Sequence, residues 1–170
     1  MIPSLFQLLD YWVDFIQVKA NPQYDSQNDP QMDFDSIQVN HDVQRFPPPK
    51  DMPEENGSLW SVEIQIEQEL KTGKNIPYTF SLEMRGIIAV HPSIEKDKLD
   101  QQIQVNGPTL LFGAAREIIR AATGRGKFGP VVIPSTRFMG KASDSPTDNK
   151  RSAISKKQAT KKTRTAKGKN

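Results

Sequence analysis

The chain has 170 residues, no cysteine, two histidines, and 23 basic against 20 acidic side chains, for a formal charge of +3. These counts exclude a thiolate zinc site, an iron–sulfur cluster, a cysteine nucleophile and a disulfide framework. No run of 18 apolar residues is present, so no membrane insertion is expected. The first ten residues carry no basic group and make a poor secretory signal, so the expected location is cytoplasmic. The charge is unevenly divided. Residues 1–139 carry a net −5, whereas residues 140–170 carry ten basic and two acidic groups, a net +8.

In chain order, Leu5–Ala20 is apolar at both parities. Phe6, Leu8, Trp12, Ile16 and Val18 alternate with Leu9, Tyr11, Val13 and Phe15. Its aromatic and β-branched content favours a strand, either with a bulge that changes register or covered on both faces. Asn21–Asp35, with Pro22 and Pro30, is expected to be a flexible stretch. Ser36–Arg45 places Ile37, Val39, His41 and Val43 on one parity and predicts a strand near a sheet edge. Phe46–Gly57, with four prolines, cannot support a hydrogen-bonded ladder.

The clearest pattern follows. Trp60, Val62, Ile64 and Ile66 alternate with polar residues, and Leu70 extends the same side beyond Gln68. Thr72-Gly73-Lys74-Asn75 supplies turn chemistry. Tyr78, Phe80, Leu82, Met84, Gly86, Ile88 and Val90 then form a second alternating face, and the two runs predict an antiparallel hairpin.

A helix is predicted from Asn106 or Gly107, with Pro108 in its first turn, to a stop at Gly124. Its stripe is Leu111, Ala114 or Ala115, Ile118 and Ala122, broadened by Leu110 and Ile119. Four strands and one helix give an α+β body. The domain limits are expected at 1–139, with a basic tail at 140–170. That tail holds one large apolar residue, Ile154, and too little to bury against its ordering cost of about 1–2 kcal/mol per residue.

Chemistry is weakly encoded. Gly124-Arg125-Gly126-Lys127 follows the helix rather than opening one, so it reads as a helix-ending turn and not a phosphate loop. His41 and His91 fit surface or turn positions. Glu63, Glu67 and Glu69 share one parity and fit a hydrated sheet face. No catalytic residue, metal site or cofactor is expected. The tail could attract nucleic acid or an acidic partner, but it lacks aromatic residues for base stacking.

Phe6–Pro22, the Tyr78–Val90 strand, the run Asn106–Ile119, and the Arg125-Gly126-Lys127-Phe128 segment with Val131, Ile133, Pro134 and Phe138 after it resemble, in that order, the SecB export chaperones. The resemblance implies a four-stranded antiparallel sheet with a long helix packed at the oligomer interface, assembled as a homotetrameric dimer of dimers. It implies an ATP-independent holdase, not an enzyme, that keeps non-native polypeptides unfolded for export. Clients would be unfolded preproteins or one dedicated partner such as an antitoxin, with a SecA-type motor receiving them. Client-contact candidates are Phe15, Val18, Trp60, Tyr78, Phe128 and Val131. Oligomer-contact candidates are Leu111, Ala114, Ala115, Ile118 and Ile119, and motor-contact candidates are Asp10, Asp14, Glu67 and Glu69. Two departures from the family pattern point to a specialised branch: no second helix is evident after Phe138, and the tail is basic rather than acidic.

Overall fold

The computed structural model describes residues 4–30, 36–47, 57–71 and 73–139. The expected properties of residues 140–170 and of most of the proline-rich stretch lie outside the described residues. Four strands, β1 (Phe6–Ala20), β2 (Ile37–Arg45), β3 (Ser58–Gln68) and β4 (Tyr78–Val90), precede one helix, α1 (Lys96–Gly124). The strands form one antiparallel sheet in the order β1-β4-β3-β2, so β1 and β2 are its edges.

The hairpin reads as its alternation predicts. Trp60, Val62, Ile64 and Ile66 of β3, and Tyr78, Phe80, Leu82, Met84, Ile88 and Val90 of β4, are buried on one face. On the opposite face, Glu63 of β3 lies across from Arg85 of β4 and Asp42 of β2. The helix lies over the apolar face and buries Ile103, Leu111, Phe112, Ala115 and Ile119 against it. Leu70 departs from the predicted pattern. β3 ends at Gln68, which turns inward and donates from Nε2 to the Ser36 Oγ, while Leu70 is 51% exposed. Residue parity carries a side chain inward only while the ladder continues.

β1 resolves its two apolar parities with two bulges. Register slips between Leu8 and Asp10 and again between Val13 and Phe15, so Leu9 and Asp14 are the extra residues. After each slip the inward parity changes, which is why no single alternation describes the strand. The segment after β1 corrects the expectation of flexibility for its described part. Asn21 donates from Nδ2 to the Ile76 carbonyl at 2.7 Å, and its backbone N–H meets the Pro77 carbonyl at 2.8 Å. Asn75 accepts from the Asp25 N–H and donates to the Asp25 and Asn28 carbonyls, fastening Asn21–Pro30 to the β3–β4 connection.

The helix also begins earlier than its apolar run suggests. It starts at Lys96, ten residues before Asn106, and Pro108 lies within it. Leu99, Ile103, Gly107, Leu111, Ala115 and Ile119 recur every four residues, so the first turns continue the same packed line with few apolar groups. Pro108 removes the N–H that would meet the Gln104 carbonyl. Around it, Asn106 Nδ2 and the Thr109 hydroxyl donate to the Gln102 and Val105 carbonyls, four residues back in each case. The end of the helix at Gly124 agrees with the sequence.

Candidate binding surface

Six large apolar side chains of β1 face solvent: Leu9, Tyr11, Trp12, Val13, Phe15 and Ile16, each between 38% and 56% exposed. The ladder sorts them by face. Trp12 and Phe15 stand opposite Arg85 and Glu83 on the outer face, whereas Tyr11, Val13 and Ile16 stand opposite Gly86, Met84 and Leu82 on the helix side. The helix therefore leaves the inner face of β1 incompletely covered, and the outer face has no covering layer among the described residues. An edge strand that is apolar on both faces has surface for contacts beyond its own sheet.

A second apolar surface lies between α1 and β2. After the helix, residues 130–139 belong to no helix or strand, and Val131, Ile133 and Phe138 among them are buried. Phe138 packs edge-on against Phe112 of the helix and His41 of β2, with ring centroids 5.8 and 5.0 Å away. Arg116 Nε donates to the Ile133 carbonyl at 2.9 Å and holds the segment beside the helix. A hollow of about 270 Å³, lined by Ile37, Val39, Phe112, Pro134 and Thr136, remains alongside it.

The six client-contact candidates do not form one patch. Phe15 is exposed on β1, and Val18 is half-buried on the inner face opposite Phe80. Trp60 is buried at the other end of the sheet, paired with Ile88 and Arg45. Tyr78, Phe128 and Val131 converge at the end of the helix. The Tyr78 hydroxyl accepts from the Phe128 N–H at 2.7 Å and donates to the Thr123 carbonyl at 3.3 Å, while the Thr123 hydroxyl accepts from the Val131 N–H at 2.9 Å. Gly126 sits against the tyrosine, where an added Cβ would lie 2.6 Å from its hydroxyl. Only glycine permits that approach. These three residues thus lock the turn after the helix, and Phe128 shows part of its ring, packed edge-on between Tyr24 and Tyr78.

The oligomer-contact candidates divide by face. Leu111, Ala115 and Ile119 are buried in the chain's own core, while Ala114 and Ile118 are half-buried beside the exposed Leu110. The four acidic candidates are spread across the sheet. Asp14 pairs with Arg85 at 3.1 Å, which also reaches Glu63 at 3.6 Å. Asp10 accepts from the Tyr11 N–H, and Glu67 and Glu69 are exposed at the end of β3. Sequence reasoning passed over Leu9, Tyr11, Trp12, Val13 and Ile16 as surface. Their signal was present in the doubled parity of β1, since a strand with one buried face does not need both.

Among the described residues no helix is long and apolar enough to cross a membrane, and no group of three or more His, Asp or Glu side chains is placed to hold a metal ion. The arrangement defines an α+β chain of four antiparallel strands and one long helix with an uncovered apolar edge. Residues 13–141 match the family model described as preprotein translocase subunit SecB. The chain belongs to the SecB family. The protein-export protein SecB of Rhodopseudomonas palustris (strain TIE-1) is 31% identical over 81 residues, covering 48% of this chain and 51% of that protein. The chain spans about half the length of the curated relatives it matches. A Streptococcus agalactiae protein of unknown function has a similar fold, at 9% identity and a TM-score of 0.50 over 77% of this chain and 97% of that one. A Mycobacterium tuberculosis SecB-like chaperone, solved with a ChAD peptide from the HigA1 antitoxin, aligns over 76% of this chain and 88% of its own at 14% identity and a TM-score of 0.46.

Proposed function

We propose that this chain is an ATP-independent holdase that binds non-native polypeptides through apolar surface and keeps them unfolded, acting by binding alone. The observation that carries the reading is the apolar edge strand: six large side chains stand in water on β1 of a SecB-family chain. Burying one such side chain completely is worth about 1.5–3 kcal/mol, so several partly exposed groups together support useful affinity without a sequence motif. Such contacts are non-directional, which suits a client with no fixed shape.

The chain forms a homotetramer, a dimer of dimers, in which the outward side of α1 at Leu110, Ala114 and Ile118 makes subunit contacts. Phe15, Val18 and Phe128 border the client path, with Trp60, Tyr78 and Val131 supporting it from the core. Unfolded preproteins are the client class, and a SecA-type motor docks on Asp10, Asp14, Glu67 and Glu69.

Size-exclusion chromatography with light scattering, on the protein mixed with a freshly diluted unfolded preprotein, tests the reading. A particle of four subunits that carries the client is the expected result. A stable oligomer that ignores several unfolded clients overturns the general holdase. If one dedicated partner is captured while preproteins are not, the chaperone serves that partner instead of export.

A further inference from the structure

The segment that follows the helix is held in the cleft between α1 and β2 very unevenly. Its start is locked: the Val131 N–H donates to the Thr123 hydroxyl at 2.9 Å, beside the Tyr78 hydroxyl that accepts from Phe128. Beyond Val131 the hold is thin. Among the described residues no backbone-to-backbone hydrogen bond ties residues 130–139 to the rest of the chain, and Pro134 has no N–H to offer. One side-chain bond remains, from Arg116 Nε to the Ile133 carbonyl at 2.9 Å. The other contacts are side-chain burial: Ile133 is fully buried, and Phe138 plugs the far end against Phe112 and His41.

The fit between these two plugs is incomplete. Pro134 and Thr136 share a hollow of about 270 Å³ with Ile37, Val39 and Phe112. An apolar wall that lacks partner atoms forfeits dispersion contacts. A chain with a larger apolar side chain where Thr136 stands would make contacts that this segment does not. The segment also shows what the cleft accepts. Val131 and Ile133 are buried while Val132 between them is 58% exposed, and Thr136 and Phe138 are more buried than Ser135 and Arg137. Apolar groups at alternate positions, with charge kept outside, are a pattern that many unfolded stretches can offer.

We propose that Ile133–Phe138 is a built-in competitor for the client: a strap that fills the α1–β2 cleft of the empty chaperone, peels away from its Phe138 end when a client binds, and stays anchored at Val131. The inference rests on the holdase reading and adds a regulation to it. Favoured clients carry an aromatic or large aliphatic side chain that fills the hollow left beside Thr136. A cleft occupied by its own chain binds a client with an affinity lowered by the fraction of time it stands open. In exchange, its apolar walls stay out of water until a client arrives.

Hydroxyl-radical footprinting of the full chain tests it, with and without a reduced, carboxymethylated and so permanently unfolded protein as probe, together with the binding constant for that probe. Labelling of Ile133 and Phe138 should rise when the probe binds, while Tyr78, in the lock, stays protected. Phe138→Ala and Arg116→Gln loosen the strap at its far end and its middle. Each should tighten probe binding by about tenfold, the gain open to a site that is free about a tenth of the time. Arg116→Gln leaves the core intact and carries the test if Phe138→Ala does not fold. Thr136→Leu fills the hollow from the strap's side and should weaken binding. A wall that merely touches the client gives the reverse signs, weaker for Phe138→Ala and tighter for Thr136→Leu, and that result overturns the proposal. Probe binding that leaves Ile133 and Phe138 protected overturns the strap alone. If the loosened variants expose Ile133 and still take up no probe, the holdase reading falls and the competitor role falls with it.

Discussion

β1 and β4 are neighbours with similar apolar content, yet they use it in opposite ways. β4 alternates without interruption, and its even-numbered side chains from Tyr78 to Val90 are buried beneath the helix. β1 pairs with it along its whole length but leaves Leu9, Tyr11, Trp12, Val13, Phe15 and Ile16 in water. Position in the sheet decides this. A central strand has neighbours on both sides and a layer above it, whereas the edge strand β1 has one neighbour and, although the helix packs against it, only partial cover. Apolar residues on β4 therefore build the core, and those on β1 are left partly exposed.

Substitutions can break or sharpen that contrast. Leu82→Ala, at a fully buried β4 position, should cost about 2–5 kcal/mol in urea unfolding, the largest effect of the series. Next, Tyr78→Phe removes a hydroxyl with two backbone partners and should cost about 1–2 kcal/mol. Hydrogen exchange should show the loss concentrated at the Phe128 amide. Asp14→Asn breaks a partly exposed ion pair across the two strands and should change stability by less than about 1 kcal/mol, with the difference shrinking in high salt. Phe15→Ala should alter folding by no more than about 0.5 kcal/mol at low protein concentration. Its effect belongs elsewhere, in weaker capture of an unfolded client by light scattering. If Phe15→Ala instead unfolds the chain as Leu82→Ala does, β1 is core and the contrast fails.

How much of this could be read beforehand depended on whether local pattern and tertiary position agreed. The β3–β4 hairpin was legible because one period-two stripe meets one helix. β2 was placed near an edge, where it lies. The two-sided pattern of β1 announced a bulge without locating it, because a slip of register depends on the β4 backbone opposite. The start of the helix was missed because Pro108 imitates a first turn. Between Lys96 and Val105 only Leu99 and Ile103 continue the packed line, too few to outweigh that signal. Leu70 was misassigned because alternation was extended past the last paired residue. Of the candidate surface, residue types were legible and their exposure was not, since exposure on β1 depends on how far the helix reaches.

The two bulges have a consequence for solubility. A long edge strand rich in aromatic and β-branched residues is a template on which foreign strands can stack into fibrils. Leu9 and Asp14 interrupt it, leaving Asp10–Val13 and Phe15–Ala20 as its longest regular runs, and Lys19 puts a charge in the second. Each bulge also adds local twist. Stacking of this kind needs flat segments of about six or seven uncharged residues. The edge can thus present sticky side chains while its backbone stays a poor seed for aggregation.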